Sequence, residues 1–111
     1  MERRSILVPH DFTTVADNAV SYAINLASRL SANVDLLHVV KDSKEAASAK
    51  SKFEKIIEKI GTSPDGVEVR PHVKIGTIYT DIASKASELH STLIIMGTHG
   101  AKGMQKLFGS F

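Results

Sequence analysis

Residues able to do chemistry gather at two places in this chain. One is Pro9-His10-Asp11, where a short apolar run stops. The other begins at Met96-Gly97, passes through Thr98-His99-Gly100 and Lys102, and ends at Gly109-Ser110. The apolar run Thr92-Leu93-Ile94-Ile95-Met96 breaks abruptly into glycines and small polar residues, so it reads as a buried parallel strand feeding a tight loop. Successive amide N–H groups in such a loop form a concave donor surface for an anion, a phosphate above all, and glycines let its oxygens approach without meeting a Cβ. Lys102 and Lys106 add cations beside the loop. Gly109-Ser110 reads as the N-terminus of a further helix carrying a hydroxyl, a second anion-holding device. Asp11 offers a carboxylate to hydroxyl groups. Plainer readings stand beside these: Gly97 and Gly100 turn the chain, and Asp11 caps the helix that follows.

Other chemistry finds less support. His10, Asp11 and His99 could converge on a metal, but that set is assembled from two loop ends alone. A magnesium ion riding on nucleotide phosphates near Asp11 or Ser110 fits better than a resident metal. Ser110 with His99 lacks the G-x-S-x-G turn of a nucleophile, so helix capping accounts for Ser110. Neither GxxxxGK[ST] nor a GxGxxG after the first strand is present, which disfavours a P-loop NTPase and a dinucleotide-binding fold. His38 lies within an apolar strand and His72 on the solvent face of an edge strand, and both read as structural.

The elements that must position these residues follow from periodicity. Ser5 to Pro9 is a strand closed by proline. Thr13 or Thr14 caps a helix, with Asp17 placed to help satisfy its first amides, and Val15, Ala19, Ala23, Leu26 and Leu30 form its apolar stripe. Val34 to Val40 is too continuously apolar for a sheet face open to water, so the first two strands pair in parallel across a right-handed crossover. Ala46, Ala49, Phe53, Ile56 and Ile60 mark a second helix that Gly61 ends. After a turn at 62–66, Val67, Val69, Pro71 and Val73 alternate with polar residues, which makes an edge strand. Gly76-Thr77 opens a third helix, carrying Ile78, Ile82, Ala86 and Leu89, before the fourth strand. The sum is an open three-layer α/β fold with a parallel sheet in the order 3-2-1-4 and the first and third helices on opposite faces. A crevice then opens between strands one and four, walled by Pro9-His10-Asp11 and Met96 to Gly100, with Val39-Val40 as its apolar side.

At 111 residues, 42% of them hydrophobic and 23% charged, the chain is a single globular domain over residues 1–111. Its net charge of +2 is scattered, with no basic stripe for nucleic acid. The absence of cysteine excludes a disulfide scaffold and suits a reducing compartment. With no signal peptide and no run of membrane-spanning length, a cytoplasmic location is expected. The chain stops soon after its fourth strand, so a parallel sheet is expected to be C-terminally incomplete, or to cover its bare edge by self-association.

Together these residues resemble the universal stress protein family. Its ATP-binding members carry an Asp after strand one, a Val at the end of strand two, and a terminal G-x2-G-x9-G-[ST] motif. Here those positions are Asp11 after Pro9, Val39 within Leu37-His38-Val39, and Gly97, Gly100, Gly109 and Ser110. The resemblance spans essentially the whole chain. It implies a Rossmann-like, adenine nucleotide alpha hydrolase-like fold, with Asp11 meeting ribose, Val39 adenine, and the glycines with Ser110 the phosphates. It further implies a regulatory protein that binds ATP or a related adenine nucleotide, with Mg2+ on the phosphates, little or no hydrolysis, and a homodimeric assembly. Two departures stand out. Eight residues, Ala101 to Phe108, separate Gly100 from Gly109 where the motif has nine, and the family's last helix and fifth strand do not follow. The alternative reading is a nucleotide-free member that works through protein contacts.

Overall fold

The computed structural model describes residues 3–97. Along these run β1 (Arg4–Pro9), α1 (Thr14–Leu30), β2 (Ala32–Val40), α2 (Ser43–Ile60), a 3-10 turn at Pro64–Gly66, β3 (Val69–Ile75), α3 (Ile78–Glu88) and β4 (Ser91–Ile94). The sheet has the order β3-β2-β1-β4 with every pairing parallel, as the periodicity implies, and β3 lies at an edge. β1 is central because its Ile6-Leu7-Val8 run has apolar side chains on both faces, and all three are fully buried.

Side chains alternate along each strand, so the sheet has two separately covered faces. Ile6, Val8, Val34 and Leu36 pack under α1 and α2, against Ala19, Val20, Ala23, Ala27 and Phe53. Leu7 and Leu37 point the other way, to Ile82 of α3, with Val39, Ala86 and Leu89 around them. Right-handed crossovers require this split: the chain winds from β1 to β3 in one direction, then returns past β1 to reach β4.

α1 begins at Thr13, whose Oγ1 accepts the Ala16 N–H at 3.2 Å, a cap worth about 1 kcal/mol. Its buried stripe is Ala16, Ala19, Val20, Ala23 and Ala27. Ala19 and Ala23 of the expected stripe are thus in place, while Val15 and Leu26 are half-buried beside it and Leu30 is 37% exposed. Small side chains let the helix axis approach the sheet, which leaves the larger ones at its flanks. α2 starts on Asp42, which accepts the Glu45 N–H at 2.9 Å, and ends where Gly61 takes a positive φ of 66°.

Two further expectations are corrected. β4 is an edge strand among the described residues, as the expected order implies, but its Leu93 and Ile94 are exposed, 39% and 44%, where a buried run was expected. His72 does not face solvent as a bystander. Its Nε2 lies 2.7 Å from Oδ1 of Asp35, a carboxylate fully buried on the α3 side of β2. Arg70 grips the same carboxylate with two bonds of 2.8 Å, and Ser5 Oγ donates to it at 2.6 Å. Burial alone would push the Asp35 carboxyl up. The bonds from His72, Arg70 and Ser5 outweigh that and hold it far below the usual carboxylate range.

Candidate functional site

β1 and β4 are neighbours in the sheet, and the helix that leaves β1 and the helix that leads into β4 cover opposite faces, so the winding reverses between them, a switch point at which strand ends part to form a crevice. Asp11 follows β1 and Met96-Gly97 follows β4, so the sheet order brings these residues to that point from opposite ends of the sequence. The ladder runs slightly beyond β4, since the Ile95 N–H donates to the Leu7 carbonyl at 2.9 Å. Met96 and Gly97 are half-buried.

Gly97 has a definite steric reason to lack a side chain. A Cβ there would fall on the Val15 carbonyl oxygen, and within 2.5 Å of Val15 Cγ1. The end of β4 therefore lies directly on the first turn of α1, which a side chain would prevent.

Val39 and Val40, read together as one apolar wall, part company. Val39 turns to the α3 side beside Leu37 and Ile82. Val40 turns to the α2 side, buried with Ala46 and Ala49, while its carbonyl accepts the Gly76 N–H at 2.9 Å. Pro9 is buried in β1 opposite Leu37. His99, Gly100, Lys102, Gly109 and Ser110 lie outside the described residues, and with them the phosphate half of the expected site and the metal set of His10, Asp11 and His99.

The β1–α1 turn is built around Asp11. Asp11 Oδ1 accepts the Thr13 N–H at 3.2 Å and the Thr13 hydroxyl at 2.5 Å, so the carboxylate closes an Asx turn that sets up the Thr13 cap. The capping role considered from sequence is thus physically present, and a ligand role adds to it rather than replacing it. Phe12 then takes φ 62°, a conformation costly for a bulky side chain.

His10, expected at the ligand, has its side chain packed toward Phe53 of α2. The residue is 2% exposed, packed against Phe12 and Phe53 with ring centroids 5.2 and 5.8 Å away. Its Nδ1 accepts the Phe12 N–H at 3.0 Å, which leaves the proton on Nε2, 3.1 Å from Asp17 Oδ1. Asp17, expected to satisfy helix amides, instead pairs with this imidazole. Burial lowers the His10 pKa, and although Asp17 and Asp11 oppose it, burial prevails. His38, read as structural, donates from Nδ1 to the His10 carbonyl at 2.7 Å, and its ring lies 4.5 Å from that of Phe12. Sequence reading named Thr13 as a cap candidate but missed Phe12 and His38 as parts of the turn. The available clue was two imidazoles and a phenyl ring placed at the ends of adjacent strands.

Among the described residues, no helix is long and apolar enough to cross a membrane, and no three His, Asp or Glu side chains gather as a metal site.

Comparison with known proteins agrees with this fold. The model of the universal stress protein family matches residues 2–111. The chain is 24% identical over 124 aligned residues to universal stress protein A homolog 1 of Coxiella burnetii, covering 99% of this chain and 86% of that one. Among solved structures it is similar to the universal stress protein UspA from Lactobacillus plantarum, with TM-score 0.73, 23% identity, and 97% and 94% of the two chains covered. It is also similar to a universal stress protein crystallised in complex with cAMP, with TM-score 0.63, 19% identity, and 96% and 82% covered.

Proposed function

The chain belongs to the universal stress protein family, and we propose on that basis that it binds ATP or a related adenine nucleotide, with Mg2+ on the phosphates, in a regulatory role with little or no hydrolysis. The observation that carries this reading is the meeting of Asp11 and Met96-Gly97 at the switch point between β1 and β4, with Val39 half-buried on the α3 side. In this reading Asp11 accepts from the ribose hydroxyls and Val39 lies against the base. Backbone donors around Gly97, Gly100 and Gly109, with Ser110 and Lys102, meet the phosphates. A similar fold crystallised with cAMP supports an adenine nucleotide as the ligand class. We further propose that the chain works as a homodimer.

A nucleotide-free protein acting through protein contacts is the second reading, favoured by one observation: Oδ1 of Asp11 is already engaged by Thr13. Isothermal titration with ATP, ADP and AMP, with and without Mg2+, separates the two. Wild type is expected to bind ATP more tightly than AMP. A charged hydrogen bond is worth about 1.5–3 kcal/mol, so Asp11→Ala should weaken ATP about ten- to a hundredfold. Gly100→Val should abolish binding by filling the space a phosphate needs. No heat with any nucleotide argues against the first reading and favours the second, and equal affinity for AMP and ATP reduces the glycine loop to a turn.

A further inference from the structure

Asp11 sits between two peptide units, and an imidazole holds each of them. Before it, the His10 carbonyl accepts the Nδ1–H of His38 at 2.7 Å. After it, the Phe12 N–H donates to Nδ1 of His10 at 3.0 Å. These two bonds restrain the peptide planes whose rotation sets φ and ψ of Asp11, so they fix the direction in which its side chain leaves the backbone. From this geometry we propose that His10 and His38 are positioning residues, a two-imidazole clamp that presets the Asp11 carboxylate for the ligand while touching none of it. The assignment of a ligand to Asp11 rests on the function proposed above.

Three features show that the clamp is specific rather than incidental packing. First, each bond demands one tautomer. His10 must keep Nδ1 unprotonated to accept Phe12, and it does so by placing its proton on Nε2 toward Asp17. His38 must place its proton on Nδ1 to donate to the carbonyl. Second, the turn holds Phe12 at φ 62°, which persists only where surrounding contacts over-determine it. The Phe12 ring meets His10, His38 and Phe53 at 5.2, 4.5 and 4.9 Å, and Lys52 Nζ lies 5.1 Å from its centroid. Third, His10 follows directly on β1 and its N–H still donates to the Leu37 carbonyl of β2 at 2.8 Å, one residue before His38. The clamp is thus anchored to the ends of the two inner strands, regular elements suited to hold a carboxylate in place.

The test exploits the two ends of the imidazole. Asparagine at position 10 can present an amide oxygen where Nδ1 stood, keeping the acceptor for Phe12, whereas glutamine reaches toward Asp17 and leaves Phe12 without its acceptor. Amide hydrogen exchange of Phe12 is measured by NMR in wild type, His10→Asn and His10→Gln, without nucleotide, and ATP affinity is measured by titration on the same samples. The Phe12 amide is expected to be protected in wild type and His10→Asn and to exchange at least tenfold faster in His10→Gln. ATP affinity should fall about tenfold in His10→Gln, the scale of one hydrogen bond, and return to within about threefold of wild type in His10→Asn. Equal Phe12 exchange in the two variants, or equal ATP affinity, overturns the clamp as a positioning device. If wild type binds no nucleotide while the exchange pattern holds, the clamp on Asp11 stands and the nucleotide reading falls.

Discussion

Asp35 shows how one residue sets both stability and its pH dependence. Removing one partner of a buried ion pair typically costs about 3–5 kcal/mol. Here Arg70 is 40% exposed and can be resolvated, so Asp35→Asn is expected near the low end, about 3 kcal/mol at neutral pH. The sign of the acid effect follows from the lowered carboxyl. Above its ordinary value of 3.8 the carboxylate is ionised in both folded and unfolded chains, so its contribution is complete. As pH falls below that value, the unfolded chain takes up the proton first, and stability is lost progressively. The urea midpoint of wild type should therefore fall more steeply between pH 4 and pH 2 than that of Asp35→Asn. Parallel curves would show that the bonds from His72, Arg70 and Ser5 do not govern acid unfolding. Nothing in the order of residues announced this network, because Asp35 lies in an apolar run and its partners stand 35 and 37 positions away. Arg70 and His72 do share one face of β3, but only the register that sets Asp35 beside Arg70 reveals what they serve.

At the scale of elements, every strand and helix within the described residues was legible, because alternation and three-to-four spacing report how backbone geometry distributes side chains. Faces were less legible. Ala19 and Ala23, read as part of an alanine-rich stripe, are buried in α1, but the rest of its core is Ala16, Val20 and Ala27 rather than Val15, Leu26 and Leu30. Gly97 follows the same logic: its glycine character reads as a phosphate loop, while its packing shows contact between the end of β4 and α1. That contact gives a prediction independent of any ligand. Gly97→Ala places a methyl on the Val15 backbone, which cannot yield as a flexible side chain can. Overpacking of this kind typically costs about 1–3 kcal/mol. Thermal unfolding of Gly97→Ala should show the loss without nucleotide present, and an unchanged midpoint would mean that the end of β4 is free to move off α1.

For the whole molecule, the order β3-β2-β1-β4 decides which surfaces remain to be used. The sequence pointed to that order because the proline-broken, alternating β3 reads as an edge, and a third crossover that returns past β1 then sets β4 beside it. It also left β4 as a bare edge, but it did not disclose that the β4 side chains are exposed, since an apolar run of five looks equally buried wherever it pairs. Among the described residues β4 bonds to β1 alone, over Ser91, Leu93 and Ile94, with a register shift between Ser5 and Ile6. An exposed apolar edge strand is a template for another chain, and natural proteins generally cover it or place charge on it. Leu93 and Ile94 are exposed, and the charges that precede them in sequence, Glu88 and Lys85, pair with each other on α3. The proposed homodimer would bury this edge. Sedimentation velocity across a range of concentrations should therefore show a dimer for wild type and a shift toward monomer for Ile94→Lys, because a buried ammonium without a partner opposes association. Circular dichroism of Ile94→Lys should remain that of the folded chain, since the substituted side chain already meets solvent. A dimer of unchanged strength in Ile94→Lys would place the contact elsewhere, and a wild-type monomer at every concentration would exclude this edge as an interface.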